Sequence, residues 1–215
     1  MIHPDTELRF VSPEIGYGVF ATRAIPKGTI VYAKDQLEIL VNNRQFNKMD
    51  QHHRDIVEKY SYMDEKGVRI ISWDHAKYVN HKCECNTMST GYGFEIAIRD
   101  IKKDEEITDE YGMFNIPVEI PIHCGCKDCR RVLLPSDIDN YADQWDSLVL
   151  DALKLVEKVK QPLWKVLETE SMQELQSYLA GQSEYRSVSS LKYQASTRRR
   201  TTTKIIQSEP DLCMA

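Results

Sequence analysis

Between Leu8 and Tyr32, short runs of β-forming residues alternate with turn residues: Leu8–Val11, Ser12-Pro13, Val19–Ala21, Pro26-Lys27-Gly28, then Thr29–Tyr32. Runs of this length bounded by proline and glycine predict strands joined by tight turns. From Asn42 to Glu58 the pattern turns polar and charged, and Gln45–Lys59 is expected to be a weakly amphipathic inserted helix. Asp64-Glu65-Lys66-Gly67, set between Tyr60–Tyr62 and Val68–Ser72, predicts a hairpin, because glycine accepts the left-handed backbone such a turn needs. Further strands are predicted at Phe94–Ile98 and Ile107–Tyr111. Beyond Cys129, Leu148, Leu150, Leu153, Val156, Val159, Leu163, Val166 and Leu167 recur near the helical period. They predict one or two amphipathic helices over residues 138–179, broken near Pro162. Their apolar face is expected to pack on its own domain or, alternatively, to join two copies as a homodimer.

Gly16–Ile30 (GYGVFATRAIPKGTI) and Gly91–Ile107 (GYGFEIAIRDIKKDEEI) share Gly-Tyr-Gly and Ala-x-Arg-x-Ile-x-Lys. This weak internal echo predicts a repeated strand, tight turn and strand with the isoleucines inward.

With 215 residues, 41% of them hydrophobic, the chain can bury one good core with a helical extension. The first twenty residues lack the features of a signal peptide, and no apolar run approaches the ~18 residues of a membrane span. The expectation is a soluble intracellular protein without membrane contact. Six cysteines, at 83, 85, 124, 126, 129 and 213, then suggest thiols or metal ligands rather than disulfides. The net charge of −5 gives no reason to expect direct nucleic-acid binding, which needs a basic surface, and suits a basic polypeptide partner better. Residues 181–215 reverse this balance, with 6 Lys/Arg against 3 Asp/Glu. Their polar composition predicts a basic disordered tail, in which Arg198-Arg199-Arg200 reads as a solvated run or a localisation patch. Cys213 is incidental.

Gly16-Tyr17-Gly18-Val19-Phe20-Ala21 fits a dinucleotide fingerprint, but Pro26-Lys27-Gly28 leaves no room for the helix whose amino terminus would hold a pyrophosphate. A nucleotide-dependent oxidoreductase is therefore rejected. What remains is a glycine turn that serves as a tight bend or lets the backbone approach a ligand. Tyr78-Val79-Asn80-His81-Lys82-Cys83-Glu84-Cys85-Asn86 gathers amides, an imidazole and thiols at the end of a strand-like run. Cys124-Gly125-Cys126-Lys127-Asp128-Cys129 offers three of the four ligands of a tetrahedral zinc site.

Taken in order, the glycine turn, Asn80-His81-x-Cys83-x-x-Asn86, Glu105-Glu106-Ile107-Thr108-x-x-Tyr111 and the late cysteines resemble the SET-domain lysine methyltransferases over about residues 8–131. The resemblance implies a mainly β fold, β-clip-like, built from small sheets around a threaded centre. Residues 1–117 would be the SET domain, 118–132 a post-SET zinc segment, 133–180 a helical extension and 181–215 the tail. It implies S-adenosylmethionine as cofactor, held by backbone groups of Gly16, Tyr17 and Gly18, by Asn80 and His81, and bordered by Tyr111. It also implies a lysine channel lined by the catalytic Tyr111 and by Tyr78, with Tyr17 and Phe114 as further candidates.

The fourth zinc ligand beside Cys124, Cys126 and Cys129 would be Cys83. The shortened C-x-C-x-x-C spacing and Cys85 at a position usually held by proline leave Cys85 or His123 as alternatives. Asp109 stands where the family often has an aromatic residue that limits how many methyl groups fit, so product multiplicity does not follow. The implied activity is lysine methylation of a basic protein, by default a histone or histone-like tail, at nuclear chromatin or in a host cell after secretion. The alternative is a zinc-stabilised, non-catalytic binding module for basic tails, motivated by Asp109 and Glu110.

Overall fold

The computed structural model describes residues 1–194; Arg198–Arg200 and Cys213, with the expectations attached to them, lie outside the described residues. The chain opens with β1 (Thr6–Ser12) and β2 (Gly16–Ala21), a hairpin turning at Pro13–Ile15, followed by β3 (Ile30–Ala33) and β4 (Ile39–Val41). The polar insertion is two helices rather than one, α1 (Asn43–Lys48) and α2 (Gln51–Tyr60). Asn42 and Gln45 form a reciprocal capping box at the first, and the Asp50 carboxylate accepts the His53 N–H at the second. A side-chain cap this strong restarts a helix wherever it occurs, so Asp50 splits the predicted Gln45–Lys59 segment.

The predicted hairpin follows as β5 (Ser61–Met63) and β6 (Arg69–Ile71), with Ser61 opposite Ile71 and Gly67 at φ +74° in the turn. Then come β7 (Asn80–His81), β8 (Thr87–Ser89), β9 (Phe94–Ala97), β10 (Glu106–Asp109), β11 (Ile120–Pro121) and β12 (Val132–Leu133). They form small sheets in the orders β1-β2-β10-β7, β3-β9-β8, β4-β6-β5 and β11-β12, so the fold is mainly β.

The echoed segments turn out to pair with each other. Ile25 and Ile101 exchange backbone hydrogen bonds of 2.9 Å in both directions. Ala97 bonds Gly28 and Thr29 just as Ala21 bonds Asp104 and Glu105, and β3 lies on β9 as β10 lies on β2. Gly28 and Asp104 occupy matching positions at φ +88° and +64°. The repeat is a local two-fold arrangement with Val19, Ala21, Ile25, Ala97, Ile101 and Ile107 buried at its centre.

The helical extension is α3 (Asp137–Leu153) and α4 (Thr169–Leu179). Regular helix stops at Leu153, well before Pro162. The following turns place Gln161 where its amide accepts the Ile30 N–H (2.8 Å) and donates to the Gly28 and Val156 carbonyls (both 2.7 Å). One side chain thus satisfies buried backbone that a longer helix would leave unpaired. Trp145, Val149 and Leu153 of α3 sit in the main core against Phe94 and Ile96, so the face considered for dimerisation is buried within the chain.

Residues 185–191 are also packed rather than disordered. Val188 is fully buried, and Asp146 of α3 accepts from Tyr185, Ser187 and the Val188 N–H. Local composition underestimated this segment because its anchors lie on another element. No helix among the described residues is long and apolar enough to cross a membrane.

Candidate active site

β10 is the axis of the site. It runs antiparallel to β2, with Ile107 opposite Val19, and parallel to β7, with Thr108 opposite Asn80 and Asp109 opposite His81. Register alone therefore brings the glycine turn, the Asn80–His81 pair and Tyr111 together. The Asn80 amide donates to the Tyr17 carbonyl (3.1 Å) and to Glu106 Oε1 (2.8 Å). A Cβ at Gly18 would come within 2.6 Å of Glu106 Oε1 and 3.0 Å of the Asn80 amide, so a side chain here must push the Glu106 carboxylate aside. Around Gly16 the space is open to 4 Å, which leaves its backbone accessible. Asn86, fully buried, is a staple: its amide donates to the Glu106 carbonyl (2.8 Å) and its oxygen accepts the Thr108 N–H (2.9 Å).

His81 Nδ1 lies 3.3 Å from the Tyr111 N–H and 3.1 Å from the Asp109 carbonyl, while Nε2 is 3.5 Å from Cys83 Sγ. Burial, helped by the Arg130 charge, pushes its pKa down to about 4, so the ring is neutral at physiological pH. The Tyr111 hydroxyl donates to the Val79 carbonyl at 2.5 Å. Burial and the nearby Asp109 and Glu95 carboxyls raise its pKa, keeping it a phenol and a hydrogen-bond donor.

Tyr111 lines a cavity of about 480 Å³ with Tyr60, Tyr62, Val79, Asp109 and Phe114. Tyr78 is not among the lining residues; its ring meets Tyr17 at 6.1 Å and Tyr60 at 5.5 Å, edge to face. Of the four aromatic candidates, the structure brings Tyr111 and Phe114 to the cavity and leaves Tyr17 half-exposed beside the glycine turn. Sequence reasoning missed Tyr60, Tyr62 and Glu95. Tyr60 and Tyr62 stood in the predicted hairpin without a chemical signal. Glu95 sits between inward Phe94 and Ile96, and alternation alone does not reveal that its face of the strand meets a cavity.

The sulfur atoms of Cys83, Cys124, Cys126 and Cys129 all lie within 4.8 Å of one another. Thiolates about 2.3 Å from a tetrahedral zinc would be spaced about 3.8 Å apart, so modest closure makes this set a metal site. Cys85 and His123 are not in the cluster; Cys85 is buried, and burial raises its thiol pKa. Burial raises the Cys124 pKa, but hydrogen bonds from Cys126, then Cys83 and Cys129, outweigh it and leave it at about 6. The bond with Cys124 pushes Cys126 up to about 12. The cluster can hold a metal ion.

Arg130 joins the cluster to the Tyr111 segment. Its backbone N–H donates to Cys83 Sγ (3.4 Å), and its guanidinium pairs with Glu110 Oε1 (2.5 Å) and Asp137 Oδ2 (3.2 Å). It also lies 5.0 Å from the Tyr141 ring centre. The sequence carried no sign of this link.

Comparison with known proteins matches residues 16–112 to the SET domain family. Among curated proteins nothing matches. Among solved structures, the "crystal structure of KRYPTONITE in complex with mCHG DNA and SAH" is similar at a TM-score of 0.42 and 20% identity. That likeness covers 60% of this chain and 28% of that one, and is too loose to carry an argument. The family match begins at the glycine turn and ends just past Tyr111, taking in every segment that β10 assembles: residues 16–112 of this chain match the SET domain.

Proposed function

We propose that the protein transfers methyl groups from S-adenosylmethionine to lysine side chains of a basic protein, with histone or histone-like tails as the default substrate. The observation that carries this reading is the Tyr111 hydroxyl, fixed on the Val79 carbonyl at the wall of an aromatic cavity and one β-pairing away from Asn80 and His81. The cleft residues fit the cofactor: neither Gly16 nor Gly18 carries a side chain that would block it, Asn80 and Glu106 offer an amide and a carboxylate, and His81 is neutral. Backbone groups of Gly16, Tyr17 and Gly18 would hold its methionine end, and Asn80 and His81 its amino and adenine groups.

When bound, the cofactor supplies a methyl group on a sulfonium, open to in-line displacement. The chain's own residues align the amine, exclude water and keep it neutral. Tyr60, Tyr62, Tyr111 and Phe114 form the apolar walls that favour an uncharged amine by desolvation. Tyr111, locked as a donor against Val79, orients the reacting nitrogen. Cys83, Cys124, Cys126 and Cys129 would hold a zinc ion that cross-links the segment after β11 to the cleft and takes no part in the chemistry.

Methyl transfer from labelled S-adenosylmethionine to mixed core histones tests the reading. Transfer is expected in the wild type, falling about 10²-fold or more in Tyr111→Phe, while cofactor affinity stays nearly constant. Cofactor binding without any transfer would overturn it in favour of the binding-module reading, which the buried Asp109 carboxylate in the cavity wall favours.

A further inference from the structure

Asp109 ends β10 and is 1% exposed. Its Oδ1 accepts the Glu110 N–H at 2.7 Å, but among the described residues no donor reaches its Oδ2. The neighbour of that carboxyl is the Glu95 carboxyl of β9, which lines the same cavity and whose charge bears on Asp109. Two neighbouring carboxyls favour holding one proton between them. Both residues line the cavity that Tyr111 borders, and among the described residues neither has an ion-pair partner.

The surroundings explain why. Tyr32 of β3 donates to Glu38, and Tyr62 of β5, Tyr111, Cys85 and Glu110 supply no cation. Three cations line the cavity but are engaged elsewhere, and the Met1 ammonium, whose charge reaches Glu95, is paired with Asp35 and Glu38. Lys77 donates to the Ser72, Trp73 and Asp74 carbonyls, Arg69 holds Asn43 and Phe46, and Lys59 lies over Tyr60. Across the β7–β10 pairing, His81 Nδ1 faces the Asp109 carbonyl and the Tyr111 N–H rather than the two carboxyls. Burial raises both carboxyl pKa values, and the charge of Glu95 raises that of Asp109 further. An acidic pair without a cation against it weakens a fold, and a cavity lets a cation reach it from outside.

We propose that Glu95 and Asp109 form an amine subsite beside Tyr111, which receives the substrate's lysine ammonium and takes its proton. The transfer step rests on the methyltransferase reading, whereas amine binding does not. An N–H bond of the ammonium breaks, and its proton joins the pair, which already shares one, leaving both carboxyls neutral. The freed nitrogen lone pair forms the N–C bond to the sulfonium methyl; the C–S bond breaks, its electrons going to sulfur. The pair returns the extra proton to solvent as the methylammonium product leaves. Asp109, where the family often has an aromatic residue, thereby gives this chain a proton acceptor in the channel.

The test titrates n-butylammonium into the full chain with ¹³C-labelled Asp and Glu carboxyls, in the wild type and in Glu95→Gln and Asp109→Asn. In the wild type, the two carboxyl signals that the substitutions identify should titrate above the ordinary ~4 and respond to butylammonium. Each variant should bind the amine about tenfold or more weakly and melt no lower than the wild type, since a buried charge is removed. Unchanged butylammonium affinity in both variants, or titration of both wild-type carboxyls near ~4, overturns the subsite.

Methyl transfer in the same samples separates the two readings. Transfer with a wild-type pH profile in both variants overturns the subsite alone. Carboxylate-dependent amine binding in a protein that transfers no methyl supports the subsite and overturns the methyltransferase reading.

Discussion

Replacing Arg130 by methionine keeps most of the packing against Tyr141 and Trp145 but strands Glu110 and Asp137, whose side chains are 2% and 3% exposed. Removing one partner of a buried ion pair leaves an uncompensated charge, at about 3–5 kcal/mol. The structure sets a ceiling for Glu110, because a stranded carboxylate can always protonate. From its ordinary pKa of ~4.3 to pH 7.5, at about 1.36 kcal/mol per unit, that ceiling is about 4.4 kcal/mol, and at pH 5.5 about 1.6 kcal/mol. At ~2–4 °C per kcal/mol for a chain of this size, the stranding of Glu110 should lower the melting temperature by at most roughly 9–18 °C at pH 7.5 and 3–6 °C at pH 5.5.

The sign follows from the folded-state pKa. Burial already raises Glu110, and the Arg130 charge is what holds it down. Without Arg130 it rises further, so the deficit is complete above the raised folded value and shrinks as the pH falls toward the unfolded one. Lys192→Ala, which breaks the half-exposed pair with Asp139, should cost about 0–1 kcal/mol at either pH. Adding Glu110→Gln to Arg130→Met should restore much of the loss at pH 7.5, as a double-mutant cycle by calorimetry at equal metal content would show. A deficit that does not change with pH, or a double variant no more stable than Arg130→Met, would refute the stranded-charge argument.

Gly18→Ala forces a Cβ to within 2.6 Å of Glu106 Oε1 and should weaken S-adenosylmethionine binding about tenfold by calorimetric titration, as the Asn80–Glu106 bond gives way. Cys124→Ser should lower the bound zinc, measured by elemental analysis, from about one per chain toward none; chelation of the wild type should lower its melting temperature in the same way. Asp50→Ala removes the cap of α2 and should cost about 0.5–2 kcal/mol in urea unfolding while leaving cofactor affinity unchanged.

Signals that act over a few residues were legible in the sequence. The left-handed Gly67 turn, the strands around it and the helical period of α3 are short-range consequences of backbone sterics and side-chain spacing. The cysteines and the Asn80–His81 and Tyr111 segments could be grouped because rare chemical types cluster there, and the structure brings Cys83 beside Cys124, Cys126 and Cys129. Tertiary structure decided what depends on register between distant segments. It pairs Ile25 with Ile101, sends Gln161 to cover the backbone of β3 and sets Glu95 beside Asp109. It also turns Arg130 into the link between the cysteines and Glu110, and places Tyr78 away from the cavity. Each of these joins side chains whose sequence neighbours say nothing of the partner, because the energy lies in burial and pairing that exist only once the sheets have met.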